Sequence, residues 1–159
     1  MIPFMRELLK RGTEVVLAVN SVPSINDITV PEMQSIMEHA CDIDSILCAY
    51  YKLGKWRLIS SGNDLPVIDL RYVSEAVASE AADADLVVLE GMGRGIETNL
   101  YAKFTVESLK LAMIKHEEVA TCLGGRLYDC VCQYYPPYNR STSGGAAGEA
   151  AIDANVAAV

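Results

Sequence analysis

Two kinds of hydrophobic spacing alternate along the chain. Short, nearly continuous apolar runs occur in "TEVVLAV", "KWRLIS", "DLVVL" and "RLYDCVCQY". Runs of this length, rich in Val, Leu and Ile and bounded by Gly, Asn, Asp or Ser, read as buried strands. Between them the apolar residues recur at helical steps. "PFMRELLKRG" predicts an amphipathic helix closed by Gly12, with Arg and Lys in its last turn. A second helix is expected from about Pro31 to Tyr50, with Thr29 or Pro31 marking its start. "RYVSEAVASEAA" and "HEEVATCLGG" predict two more, the latter stopped by glycines. The spacing of "SLKLAMI" fits strand and helix equally. Strands alternating with helices imply an α/β fold with a mostly parallel sheet.

A βαβ arrangement normally places a strand before its first helix, and here the chain opens on the helix itself. The sheet is therefore expected to be incomplete at its N-terminal side, with a gap or raw edge beside the strand Glu14–Val19. Association through that edge, as a homo-oligomer or with another chain, is the corresponding expectation. At the other end, "PPYNRSTSGGAAGEAAIDANVAAV" combines Pro, Gly, Ser and Ala with little to anchor it. The organisation expected is one domain over residues 1–135 and a low-complexity, disordered tail over 136–159.

Composition narrows the function classes. A hydrophobic share of 51% in 159 residues provides for a sizeable core. A net charge of −8 argues against a nucleic-acid partner, which needs a positive field along the phosphate backbone. No apolar run approaches the ~20 residues that span a bilayer, and the N-terminus lacks a signal-peptide layout. No membrane partner and a cytoplasmic location are the expectations. The five cysteines form no Cys-x-x-Cys pair, which argues against a zinc ribbon or a disulfide scaffold.

Four segments carry candidate chemistry, and three follow expected strands. Loops at the carboxyl ends of parallel strands converge on a ligand crevice. "NSVPSINDIT" offers Asn20, Asn26 and Asp27, hard oxygen donors suited to Mg or Mn and, less selectively, Co or Ni. Asn26 and Asp27 equally suit a helix cap or a turn. "SGNDLPVIDL" repeats the Asn-Asp pair as Asn63 and Asp64. "EGMGRGIETN" places Gly91, Gly93 and Gly95 around Arg94. It lacks the lysine of a Walker A loop and the spacing of a dinucleotide loop, and its register is wrong for a methyltransferase. What remains is backbone N–H groups plus an arginine, suited to a phosphate oxygen. Lys115 and His116 close the fourth segment; Lys115 can reach a phosphate, and His116 reads as the start of a helix.

Taken in order, "NSVPSINDIT", "SGNDLPVIDL", "DLVVLEGMGRGIETNLYAKF" and "KHEEVATCLGGRLYDCV" resemble the metal-dependent damage-control phosphatases, long labelled a domain of unknown function. The likeness runs from about Ile2 to Tyr134 and is greatest to the plant branch, including the phosphatase domain fused to plant-type pantothenate kinase. The resemblance implies a Rossmann-like three-layer α/β/α sandwich and a divalent metal ion. It implies hydrolysis of small phosphorylated metabolites, such as 4′-phosphopantetheine with its damaged forms or sugar phosphates. Asp27 matches the family's metal-binding aspartate, with Asn26 beside it in the catalytic pair. Gly91, Gly93, Arg94, Gly95 and Lys115 are expected at the substrate phosphate. Asn20, Asn63, Asp64, Glu97 and Asn99 are expected in support. The family's upstream Asp-Asn metal pair has no counterpart in this sequence. Little or no phosphatase activity is therefore expected of the chain as given, and gains in stability and turnover from a form extended to restore that strand. A catalytically inactive remnant or interaction module of the same fold is the alternative, with a methyltransferase behind it.

Overall fold

The computed structural model describes residues 1–139 other than Asn63 and Pro66. The greater part of the expected tail, 140–159, thus lies outside the described residues. The first helix, α1 (Ile2–Lys10), begins with Pro3 in its first turn, where a missing N–H costs nothing, and buries Met5 and Leu9. Gly12 follows in the left-handed region at φ 90, and its N–H donates to the Leu9 carbonyl at 2.9 Å, ending the helix as expected. The strand β1 (Val15–Val19) comes next.

The single helix expected between Pro31 and Tyr50 is two, α2 (Val30–Ile43) and α3 (Ser45–Lys52). Asp44 makes the break. Its backbone is extended, and its Oδ1 accepts from the N–H groups of Ile46 at 2.9 Å and Leu47 at 3.2 Å, capping α3. Its Oδ2 accepts from Arg6 Nε at 2.6 Å, which ties the break to α1. At the start of α2, the Glu32 carboxylate accepts from both the N–H and the hydroxyl of Thr29, at 2.8 and 2.7 Å. Thr29 therefore marks the helix start.

The remaining elements are β2 (Trp56–Ser60), α4 (Glu75–Ala82), β3 (Leu86–Glu90), a π-helical turn (Met92–Glu97), β4 (Glu107–Met113), α5 (Glu117–Cys122) and β5 (Cys130–Tyr135). "SLKLAMI" is thus a strand. β1 pairs with β2 in parallel, Val15 opposite Trp56 through Val19 opposite Ser60. β3 pairs with β4 in parallel, Leu86 opposite Glu107 through Glu90 opposite Leu111, and β5 returns antiparallel to β4.

The ladders form two sheets, β1–β2 and β3–β4–β5, a break that matches the gap or raw edge expected beside β1. Among the described residues β1 is paired on the β2 side alone and β3 on the β4 side alone, so the raw edge expected at β1 is present. Side chains join the two sheets in place of hydrogen bonds. Ala18 of β1 and Val87 and Leu89 of β3 share a core with Val77 and Ala81 of α4. On the opposite face Val15, Leu17, Val19 and Trp56 pack with α1, α2 and α3 through Met5, Leu9, Met37 and Leu47. Helices on both faces of parallel strands make the α/β/α layering. No helix of the described residues is long and apolar enough to cross a membrane.

Candidate functional site

The carboxyl ends of the strands deliver their loops to one cavity of about 520 Å³. The loop after β1 contributes Ile25, Asn26, Asp27 and Ile28, and the loop after β2 contributes Val67. The end of β3 and the π-helical turn contribute Glu90 to Arg94 and Glu97; Lys115 and His116 follow β4. This is the convergence expected of the four segments.

Asn20 is the hub beneath the cavity. It is 1% exposed, and all of its polar groups are engaged. Its N–H donates to the Ile28 carbonyl at 3.1 Å, and its carbonyl accepts from Val30 N at 3.2 Å. These two bonds close the loop that carries Asp27. Its side-chain Nδ2 donates to the Leu65 carbonyl at 3.4 Å, and its Oδ1 accepts from Arg94 Nη2 at 2.7 Å. One amide side chain thus ties together the loops after β1, β2 and β3.

Arg94 Nη2 also lies 3.1 Å from Asp27 Oδ2. The oxygen is buried, and no hydrogen bond is directed at it; the two charges attract without the alignment that a hydrogen bond needs. The arginine side chain is only 14% exposed. A buried carboxylate oxygen with unused acceptor capacity is costly unless a partner satisfies it. Asp27 does not cap α2, because Thr29 and Glu32 do so.

The glycine loop separates into two roles. Gly91, at φ 116, lets the chain turn out of β3, and its N–H is taken by the Leu111 carbonyl at 2.9 Å. The Gly95 N–H is taken by the Gly91 carbonyl at 2.8 Å. Gly95 is buried, and a Cβ there would stand 3.0 Å from the Leu89 carbonyl oxygen. Gly95 therefore lets the π-helical turn rest on β3 and does not line the cavity, which departs from its expected place at the phosphate. The N–H groups of Met92, Gly93 and Arg94 open the turn, where no preceding turn accepts them.

Of the supporting residues, Glu97 lines the cavity. Asn99 is buried behind it, its Nδ2 donating to the carbonyls of Ile68 and Arg94, each at 2.9 Å, and fixing the backbone of the turn. Asp64 is exposed and lies away from the cavity lining, and Asn63 is outside the described residues. His116 begins α5 as its N-cap residue, as the sequence reading expects, and also lines the cavity, a place that reading gave neither to it nor to Glu90, Ile25, Ile28, Val67 and Met92. For His116 and Glu90 the available signal was position, since each directly follows or ends a strand.

Comparison with known proteins identifies the family. The damage-control phosphatase ARMT1-like domain matches residues 1–131. The chain is 56% identical to a damage-control phosphatase of Arabidopsis thaliana, covering 84% of this chain and 36% of that protein. It is 43% identical to pantothenate kinase 2 of Arabidopsis thaliana, covering 86% and 18%. It is 32% identical to the 4′-phosphopantetheine phosphatase of Mus musculus, covering 85% and 22%. The chain thus spans about a third or less of the length of these relatives. In structure it is similar to a DUF89 family protein of Pyrococcus horikoshii, with a TM-score of 0.60 and 24% identity over 82% of this chain and 41% of that one. The chain belongs to the ARMT1-like damage-control phosphatase family.

Proposed function

We propose that the cavity is the substrate-phosphate and metal site of a phosphomonoester phosphatase, acting on small metabolites such as 4′-phosphopantetheine and its damaged forms. The observation that carries this is the convergence of Asp27 Oδ2 and Asn20 Oδ1 on one nitrogen of Arg94, beside the opening of a π-helical turn. The mouse relative named for 4′-phosphopantetheine supports the substrate class.

Asp27 fits a divalent ion as one of its oxygen ligands, the Asn20 side-chain oxygen being taken by Arg94. Mg²⁺ is commonly held by one or two carboxylates, with substrate phosphate and water completing the shell. The unsatisfied Asp27 oxygen is the group that such an ion would use. Among the described residues no cluster of three His, Cys, Asp or Glu side chains stands ready to hold it alone. When bound, the ion supplies Lewis-acid polarisation of a phosphoryl oxygen. The protein's own contribution is positioning and charge. The N–H groups of Met92, Gly93 and Arg94 and the ammonium of Lys115 donate to the phosphate oxygens. The guanidinium has five donors, of which Asn20 takes one, leaving part of the fork for the same phosphate. Asn26 and Glu97 hold polar groups at the mouth, and Asn99 keeps the turn in place from behind.

Phosphate release from 4′-phosphopantetheine and from sugar phosphates, with Mg²⁺, Mn²⁺, Co²⁺ or Ni²⁺ added, tests the reading. Any release is expected to require the ion and to be lost in Asp27→Ala. Hydrolysis that survives both chelation and Asp27→Ala would place the chemistry elsewhere. The partial ligand set favours one second reading, a non-catalytic module of the same fold; phosphate binding with no turnover under any metal would establish it.

A further inference from the structure

Ile25 has a backbone and an exposure that packing does not explain. Its φ of 50 lies in the left-handed region, which a β-branched side chain adopts only at a cost. It sits in the turn Ser24–Asp27, closed by Asp27 N donating to the Ser24 carbonyl at 2.9 Å. Its side chain is 86% exposed, yet it lines the cavity. Glycine or asparagine would form this turn without strain and without presenting hydrocarbon to water. The isoleucine gains nothing from the fold that would offset either cost.

The cavity supplies the missing partner. At about 520 Å³ it is in the size range of sites for whole small molecules and far exceeds a phosphate group. Its lining divides by chemistry into a polar set, Asn26, Asp27, Glu90, Arg94, Glu97, Lys115 and His116, and an apolar set, Ile25, Ile28, Val67 and Met92. Ile25 and Ile28 lie on either side of Asn26 and Asp27 in sequence, so hydrocarbon borders the carboxylate in the cavity lining. We infer that Ile25 is a specificity-determining residue, forming an apolar subsite for the organic part of the phosphate monoester. It favours esters with hydrocarbon next to the ester oxygen over hydroxyl-rich ones. The inference rests on the phosphate-binding reading above. A hydroxyl pressed against this set loses water and finds no partner. Burying about two methylenes there is worth roughly tenfold in affinity.

The test is calorimetric titration of inorganic phosphate, n-butyl phosphate and glycerol 3-phosphate into the chain with Mn²⁺ present. The same titrations are run on Ile25→Asn, which tolerates the left-handed turn, and on Ile25→Leu, which keeps the hydrocarbon. Butyl phosphate is expected to bind roughly tenfold tighter than glycerol 3-phosphate. That ratio should fall toward one in Ile25→Asn and persist in Ile25→Leu. Thermal melting of Ile25→Asn at or above the parent temperature would confirm that the turn is intact. A ratio unchanged in Ile25→Asn, or no preference in the parent while inorganic phosphate still binds, overturns the subsite and leaves the phosphate site standing. Failure of all three ligands to bind the parent removes the phosphate reading and the subsite together.

Discussion

Arg94 reaches across from the end of β3 to Asp27 beyond the end of β1, its Nη2 3.1 Å from the aspartate Oδ2, and no strand ladder joins the two strands there. The arginine thus neutralises the carboxylate that a metal would use. Two consequences of opposite sign follow for one substitution. Arg94→Ala removes a charged donor from the phosphate site, so phosphate-ester affinity should fall by about one to two decades. It also removes the cation that competes for Asp27, so Mn²⁺ should bind more tightly than to the parent. Parallel calorimetric titrations with Mn²⁺ and a phosphate ester check both directions; weakening of both would show that Arg94 merely holds the loop together.

Gly95 and Gly91 look alike in sequence, and alanine should destabilise each for a different reason. In Gly95→Ala the new methyl meets the Leu89 carbonyl oxygen at 3.0 Å. The π-helical turn must then lift from β3, at a cost of about 1–3 kcal/mol. At Gly91, where a Cβ meets nothing within 4 Å, the cost of alanine is backbone strain at φ 116, also about 1–3 kcal/mol. Urea unfolding, followed through the single tryptophan, Trp56, measures each loss. A Gly95→Ala protein as stable as the parent would show that the turn does not need this close approach.

Lys110 should make stability rise with alkaline pH. It is fully buried in β4, its Nζ donating to the Ala102 carbonyl at 3.0 Å and Ser108 Oγ at 2.9 Å, with the Tyr135 and Phe104 rings beside it. Burial pushes its pKa down to about 8 from an ordinary 10.5. Between those values the unfolded chain binds the proton and the folded chain does not, so folding gains as pH rises through that window. Below about pH 8 the amine is charged in both states and the full penalty, on the order of 3 kcal/mol, is present. Lys110→Met should be more stable than the parent at pH 7, with the difference shrinking toward pH 10.5. Denaturant unfolding of both proteins from pH 7 to 10.5 measures it; a constant difference would mean that the amine keeps its proton throughout.

Asp44 should act on stability with the opposite pH sense. Arg6 first, then the N–H groups of Leu47 and Ile46, hold its carboxyl below the usual carboxylate value. The stabilisation is therefore present above the ordinary aspartate range and is lost as pH falls below it. Loss of the cap in Asp44→Ala should cost about 1 kcal/mol at neutral pH. Melting temperatures of the two proteins that coincide at pH 7 would contradict it.

These residues also show where the sequence is readable. β3 and the glycine loop were legible because an unbroken apolar run followed by three glycines admits few packings. The crevice was legible because loops after parallel strands converge by topology. The helix break was not, since Asp44 sits in a helical pattern and acts only once Arg6 and the α3 amides surround it. β4 was ambiguous for a clearer reason. Its leucines, Leu109 and Leu111, are half-buried, while Ser108 and Lys110 face the deepest core. The usual rule of apolar inside is inverted there by hydrogen bonds and ring faces that only the fold supplies. Gly95 could not be told from Gly93 by spacing, because its need is a carbonyl oxygen of another element. The core cluster that joins β1 to β3 was not legible, because it brings together side chains of strands far apart in sequence.

The most direct test of the site is a calorimetric titration of Mn²⁺ into the chain and into Asp27→Ala. With Asp27 as the carboxylate ligand, the parent should give a saturable isotherm that disappears in the variant, whose melting temperature should stay close to the parent's. Superimposable isotherms for the two proteins would contradict the account, returning Asp27 to the role of a turn residue and moving the metal, and the chemistry with it, away from this cavity.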